Sequence, residues 1–338
     1  MQRRCFLGAL AALPASAALA GAPAAAAPPA GRYIAQQPAA RVIVDNDFAG
    51  DPDGLVALAH QLLTPKTRTV LVTASALDPR LAGLAGLAAG QAAAAGARLA
   101  RELLSKLGQP RGPDVLAGAE TFGATDAQAT PAARAIVAEA LRDDPLPLVL
   151  TCGGPLTNVA AALRLDPSIA RRMTLVWIGG SSAADGGIEY NLSTDLAAAR
   201  HVLEETKVPV WQVPEAEYQR FQVSVAELGT TLRPISPVAE WLYGRYRQLP
   251  PFVQLGGSLT FGDSPMVSLT ALAPELHRFD TRRVRRILDD ARLGAEVDGR
   301  DIRVYRDLDA RLNFADFIAL LRLQAAHRRP APARRSSR

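Results

Sequence analysis

Val42-Ile43-Val44-Asp45-Asn46-Asp47-Phe48-Ala49-Gly50-Asp51-Pro52-Asp53-Gly54-Leu55 joins a β-branched run, four carboxylates and the opening of a helix. Residues 42–44 are apolar and bounded by acids, which predicts a short buried strand. Residues 52–63 carry apolar side chains at helical spacing. The same alternation continues along the chain. Strands are expected at 69–74, 146–151, 174–178 and 208–213. Helices are expected at 84–107, 131–141 and 194–203, with another that starts at the Gly153-Gly154-Pro155 turn and runs to Leu163. Further strands at 285–288 and 302–305 and a closing helix at 314–323 complete the pattern. Strands alternating with helices predict an α/β fold, an open, mostly parallel sheet with helices on both faces. In such a sheet ligands bind at the carboxyl ends of the strands. The aspartate cluster, the segment Thr151–Pro155 and Gly179-Gly180-Ser181 each follow a strand, so they converge on one edge.

The composition narrows the chemistry. Of 338 residues, only 2 are cysteine and 4 histidine, which excludes a disulfide scaffold and a cysteine- or histidine-built metal centre. The net charge of +5 belongs to the ends. Arg3, Arg4, Arg328, Arg329, Arg334, Arg335 and Arg338 account for it, and residues 31–326 sum to −2. The body therefore has no basic face of the kind that binds nucleic acid. Residues 1–30 hold Arg3-Arg4, an Ala/Leu-rich stretch and small residues at Ala24–Ala27. They are expected to be a twin-arginine-type export signal, too short and Ala-rich to span a membrane. A periplasmic location and no membrane contact after signal removal follow from that expectation. Residues 31–326 are read as one domain and 327–338 as a basic disordered tail. With Cys5 in the signal, Cys152 is left as a small packing residue without a partner histidine.

Four carboxylates within nine residues repel one another by roughly 4 kcal/mol per close pair at an effective dielectric of 20. Something cationic is needed there, and hard oxygen donors suit Ca²⁺ or Mg²⁺. An Asp/Gly/Pro turn with solvated acids and a helix cap is the plainer alternative. An EF-hand is excluded, because the loop counted from Asp45 has Ala49 at position five and Val56 at position twelve. A phosphatase-type aspartate motif fits poorly for the same Ala49.

Residues 42–59 resemble the N-terminal motif of nucleoside hydrolases, D-x-D-x-G-x-D-D-x-x-A-[LI], lengthened before its last acids. Gly154-Pro155-Leu156-Thr157-Asn158-Val159-Ala160 is similar to the family's G-P-L-T-N-[IVL]-A. Glu189-Tyr190-Asn191-Leu192 followed by Asp195 and Ala197-Ala198 is similar to its E-F-N-[IVL] with a downstream D-x-x-A-A. Gly262-Asp263-Ser264-Pro265 stands where a late H-D-P is expected.

The resemblance implies a nucleoside hydrolase-like fold and hydrolysis of the N-glycosidic bond of a nucleoside or related ribosyl compound. It implies one Ca²⁺ (Mg²⁺ as the other candidate) and a metal-bound water activated by Asp47. Asp47, Asp51, the Gly153 carbonyl and Asp263 are the implied metal ligands, with Asp51 standing in for the acid that Gly54 lacks. Asp53, Glu189 and Asn191 are the implied sugar contacts, and Asn158 supports the loop. The chain departs from the pattern at three places: Gly54 for an aspartate, Gly262 for the histidine beside the leaving base, and Ala183 for an asparagine. A non-catalytic nucleoside- or sugar-binding protein on the same fold is the second reading. The partner in either case is a small molecule, and a homo-oligomer is left open. His60 and His201 are expected to pack on helices, and Trp211 to flank a base or fill the core. Trp241, Tyr243 and Tyr246 are candidates for a wall around the leaving group.

Overall fold

The computed structural model describes residues 34–126, 129–181, 188–249 and 256–328. The chain divides after Gln36, and Gln37–Arg338 forms one compact unit. The residues read as an export signal, the tail from 329 onward and Ala183 lie outside the described residues. His327, counted above with the tail, is the last residue of the final helix.

Among the described residues ten strands are present: β1 (Ala40–Asn46), β2 (Thr67–Ala74), β3 (Asp114–Ala117), β4 (Leu148–Cys152), β5 (Met173–Ile178), β6 (Val210–Val213), β7 (Gln222–Ser224), β8 (Ser258–Thr260), β9 (Arg278–Ile287) and β10 (Leu293–Arg306). Eight of them form one sheet in the order β3-β2-β1-β4-β5-β6-β10-β9. The pair β7–β8 stands apart. All neighbours in the large sheet are parallel except β9 and β10, an antiparallel edge hairpin. The helices are α1 (Asp53–Leu63), α2 (Pro79–Leu84), α3 (Ala92–Lys106), α4 (Pro131–Leu141), α5 (Thr157–Leu165), α6 (Tyr190–Thr194), α7 (Leu196–Arg200), α8 (Glu215–Tyr218), α9 (Val225–Glu227), α10 (Pro237–Arg245), α11 (Pro265–Ala271) and α12 (Ala310–His327).

The expected α/β architecture is what the chain adopts. Two apolar clusters cover the sheet. One is built on Val42, Val44, Val72 and Val176, the other on Ile43, Leu150, Leu175 and Trp177. Alternate residues of β1 thus enter opposite layers, as a period of two requires. Strand order places the site. From β1 the chain moves outward through β2 and β3, then returns to β4 on the other side of β1. The crevice between β1 and β4 is the point where strand order reverses, and ligands bind outside the strand ends there.

The helix expected over 84–107 begins only at Ala92, as α3, and a separate short helix, α2, ends at Leu84. Asp78 caps α2 by accepting from the backbone N–H groups of Arg80 and Leu81 at 3.0 and 3.1 Å. Gly86 and Gly90 then adopt φ of +75° and +67°, a conformation that ends a helix and that alanine enters only at a cost. The Ala-rich composition favoured one long helix, and the glycines broke it. The helix expected over 194–203 starts two residues later, at Leu196, because Asp195 caps α7 by accepting from Ala198 N at 3.0 Å, and it continues past α7 as a wider turn over His201–Glu205. Strand β3 and the helices α6 and α8 had no periodic signal long enough to mark them.

Candidate active site

The Asp-rich turn leaves β1 at its carboxyl end and enters α1. Asp45, the last acid still inside the strand, is fully buried. It accepts from Thr73 Oγ1 at 2.5 Å and from Asn158 Nδ2 at 2.8 Å. Asn158 Oδ1 in turn accepts from Ala119 N at 3.3 Å. Asp45 therefore ties β1 to β2 and α5. Burial raises its pKa to about 6, although these hydrogen bonds pull the other way.

Asp47, Asp51 and Asp53 have a different setting. Together with Gly153, Glu189, Asn191 and Asp263 they line one cleft of about 1080 Å³. All seven residues nominated from the sequence meet in it, though they come from four separate stretches of chain. Asp263 N donates to Asp53 Oδ2 at 3.3 Å, and Asn46 Nδ2 donates to Asp263 Oδ2 at 2.9 Å. Burial pushes Asp47 and Asp263 well above the usual carboxylate range. Each is pushed further by the charges of its neighbours, Asp53 foremost. Burial and the neighbouring Asp51 raise Asp53 to about 7. Burial raises Asp51 as well. Among the described residues no lysine, arginine or histidine forms an ion pair with any of these four acids.

Gly153 ends β4, and nothing larger fits there. A Cβ at this position would lie 2.4 Å from Asn46 Nδ2 and 2.5 Å from Asp263 Oδ1. The backbone thus reaches the acids directly. Glu189 has its carboxylate largely taken up. It accepts from Gly180 N at 2.6 Å, Leu192 N at 2.9 Å, Asn191 N at 3.1 Å and Tyr218 Oη at 3.1 Å. It caps α6 and binds Gly180, the glycine after β5, to that helix. Asn191 Nδ2 donates to the Ile178 carbonyl at 2.9 Å and reaches the Gly153 carbonyl at 3.4 Å.

Several residues lining the cleft were not foreseen. Tyr190 stands inside the E-Y-N motif, and its hydroxyl accepts from Asp78 N at 3.2 Å. Tyr218 lies beside Gly262. A Cβ on Gly262 would sit 3.3 Å from both the Tyr218 ring and Asp53 Oδ2, so the tyrosine borders the space where the family motif carries histidine. Leu77, Leu81, Leu84, Leu87 and Leu99 form an apolar wall, and Arg98 and Arg245 add charge to it. The wall is shared between α2 with its flanking residues and α3, which is why no single periodicity announced it.

Other weighed residues lie elsewhere. Trp211 packs against Tyr305, with centroids 5.5 Å apart, and Tyr246 is buried against Phe261. Trp241 meets Lys106, and Tyr243 meets Arg233. None of the four lines the cleft; α10 contributes Arg245 instead. His60, expected on a helix surface or in packing, is fully buried, 2.9 Å from Asp316 on α12. His201 pairs with Glu205 at 2.8 Å. The Cys152 thiol is buried, free and pushed well above its usual pKa by desolvation.

The donor set suits a hard divalent cation only in part. Acceptor oxygens crowd the floor with no positive charge among them. Yet among the described residues no three His, Cys, Asp or Glu side chains converge to hold an ion by themselves. One further oxygen fits the deficit: Asn46 Oδ1 is buried and has no hydrogen-bond donor.

Comparison with known proteins gives the family and the fold. The model of the family described as inosine-uridine preferring nucleoside hydrolase matches residues 42–248. Among solved structures, an inosine-uridine preferring nucleoside hydrolase from Bacillus anthracis is 17% identical with a TM-score of 0.64, covering 84% of this chain and 99% of its own. An inosine-guanosine nucleoside hydrolase is 20% identical with a TM-score of 0.62, covering 85% and 98%. A purine-preferring ribonucleoside hydrolase from Gardnerella vaginalis is 19% identical with a TM-score of 0.61, covering 84% and 99%. These likenesses establish a shared fold. No curated protein matches the chain. The family match spans more than half of the sequence and includes three of its four motif segments, so the chain belongs to the inosine-uridine preferring nucleoside hydrolases, a family of N-glycosidic bond hydrolases that is typically metal-dependent.

Proposed function

We propose that the protein hydrolyses the N-glycosidic bond of a nucleoside or related ribosyl compound, with Asp47 as the base. The observation that supports this most is the cleft floor: Asp47 and Asp263, from two distant stretches, are withdrawn from water beside the charge of Asp53 with no cationic partner, and both are raised in pKa by burial and by that charge. Asp47, Asp263 and the Gly153 carbonyl, with Asp51 at the exposed rim, would hold a Ca²⁺ or Mg²⁺, which would supply positive charge and lower the pKa of a nearby water molecule.

Cleavage passes through an oxocarbenium-like sugar. Asp47 takes the proton from the attacking water. Its burial makes the carboxylate a stronger base than an exposed one, which suits proton transfer near neutral pH. Asp53 and Asp263 place negative charge beside the developing cation. Asp53 and Asn191 face the cleft and orient the sugar hydroxyls. Glu189 acts mainly on the protein itself, holding Asn191 and Gly180 in register. The leucine wall takes the leaving group, and Tyr218 borders it where histidine is missing.

We infer further that residues 1–30 direct export to the periplasm and that residues 31–326 are the working domain. Among the described residues no helix is long and apolar enough to cross a membrane.

The test is ribose release from a panel of purine, pyrimidine and nicotinamide ribosides, with and without chelator. Turnover that chelator abolishes and Asp47→Asn removes is expected. Tight binding of an intact riboside with no turnover would instead establish the non-catalytic reading, for which Gly54 and Gly262 are the motive.

A further inference from the structure

Asn46 lies between two acids of the motif and was given no role by the sequence. It is fully buried. Its carboxamide lies directly across Gly54. A Cβ on Gly54 would come within 2.8 Å of Asn46 Oδ1 and 3.0 Å of its Cγ and Nδ2. The amide therefore fills the volume that a side chain at position 54 would enter, and position 54 is where the family pattern has an aspartate and this chain has none.

The two ends of the amide have unequal partners. Nδ2 donates to Asp263 Oδ2 at 2.9 Å and lies against Gly153. Oδ1 accepts from nothing. The carboxylates of Asp47, Asp53 and Asp263 offer it no donor, since they are acceptors when ionised. A buried carbonyl oxygen among acceptors is satisfied by a cation or a water. Calcium accepts amide carbonyl oxygens as readily as carboxylates. The absence of an acid at position 54 and the surplus of one unpartnered amide oxygen are thus two sides of one arrangement.

We propose that Asn46 Oδ1 is the side-chain ligand that replaces the absent acid of position 54 in the divalent-cation site, completing the set with Asp47, Asp263 and the Gly153 carbonyl. This rests on the cation reading given under Proposed function. Exchanging a carboxylate for an amide removes one negative charge from the ligand set. Because affinity for calcium follows ligand charge, the site binds calcium more weakly than one with the acid in place.

The experiment is calorimetric titration of Ca²⁺ into the purified protein, with melting temperature in EDTA as a check on folding. Asn46→Leu keeps the bulk and removes the oxygen. It is expected to lower calcium affinity at least tenfold while the EDTA melting temperature holds. The pair Asn46→Ala with Gly54→Asp opens the space and restores the acid, and is expected to bind at least as tightly as the wild type. The proposal is overturned if Asn46→Leu binds calcium like the wild type, or if the pair binds no better than Asn46→Ala alone. If that happens while Asp47→Asn abolishes binding, the cation reading survives and only the role of Asn46 is lost. If neither Ca²⁺ nor Mg²⁺ binds the wild type, both are lost. If calcium binds as expected but no riboside is cleaved, the ligand assignment stands and the hydrolase reading does not.

Discussion

Two ends of one sheet treat charge in opposite ways. At the β1–β4 crevice, Asp47, Asp53 and Asp263 are crowded together, withdrawn from water and raised in pKa. At the far edge, the β9–β10 hairpin is lined with arginines, and several of its acids are paired with them. Asp280 meets Arg306 and Arg282, Asp301 meets Arg283, and Asp290 meets Arg292. Those pairs hold the carboxyls of Asp280 and Asp290 below the usual range. The hairpin is a solvated surface on which these three acids already have partners. The crevice keeps its charges unpaired, which costs stability, and such strain is retained where function needs it.

The contrast predicts where substitution matters. Asp47→Asn is expected to lower kcat by about a thousandfold, the middle of the range for losing a positioned base, with folding intact. Initial rates of ribose release check this, and activity within threefold of wild type would remove Asp47 from the mechanism. Gly153→Ala comes next. Its methyl group would press on Asn46 and on the Asp263 carboxylate. Displacing groups that orient a cation site costs about 10- to 100-fold in affinity, so calcium titration should show a loss of that order. An unchanged affinity would mean that the floor tolerates a side chain, and the close approach would lose its meaning.

The two regions also differ in how legible they were. The β1 turn could be read because strand, acids and helix start follow one another locally, and the motif segments kept their order. Asp45 and Asp47 illustrate the limit. They have the same chemistry two residues apart, yet one is bound to Thr73 and Asn158 and the other faces the cleft. Only the strand end separates their roles. Glu189 shows a second limit, since its four hydrogen-bond donors come from backbone and from Tyr218, which no spacing reveals. The leucine wall was hidden by alanine-rich sequence that reads as continuous helix until Gly86 and Gly90 are seen in the left-handed region. Asn46 was invisible because its significance lies across the loop, at Gly54.

The same contrast fixes the sign of the pH dependence. Asp45 is raised to about 6 and Asp53 to about 7 from an ordinary value of 3.8. Both bind protons more tightly in the folded protein than in the unfolded chain. Their stabilising contribution is fully present below about pH 3.8 and is lost as pH rises through 6 to 7. In EDTA, the melting temperature should therefore decline from pH 5 to pH 8, and excess calcium should flatten that decline by neutralising the acids. Hairpin acids such as Asp280 run the other way, contributing above their unfolded pKa and losing it as pH falls. A melting temperature in EDTA that climbs between pH 5 and 8 would show that the crevice does not carry the strain assigned to it.

The smallest effect is expected where the ion pairs are most conspicuous. Arg283 Nε lies 2.6 Å from Asp301 Oδ1 across the hairpin, and both side chains stand in water. A pair so exposed gains little Coulomb energy, holds two side chains in one geometry and is screened by salt. Asp301→Asn should leave the denaturation midpoint, the calcium affinity and the rate of ribose release where they were. Asp47→Asn likewise removes one negative charge and changes no shape, so the two variants form a matched pair. If Asp301→Asn weakened calcium binding or catalysis, the effect would be reaching the cleft through net charge alone. The loss in Asp47→Asn would then say nothing about position. If only Asp47→Asn is impaired, its place at the crevice is what matters.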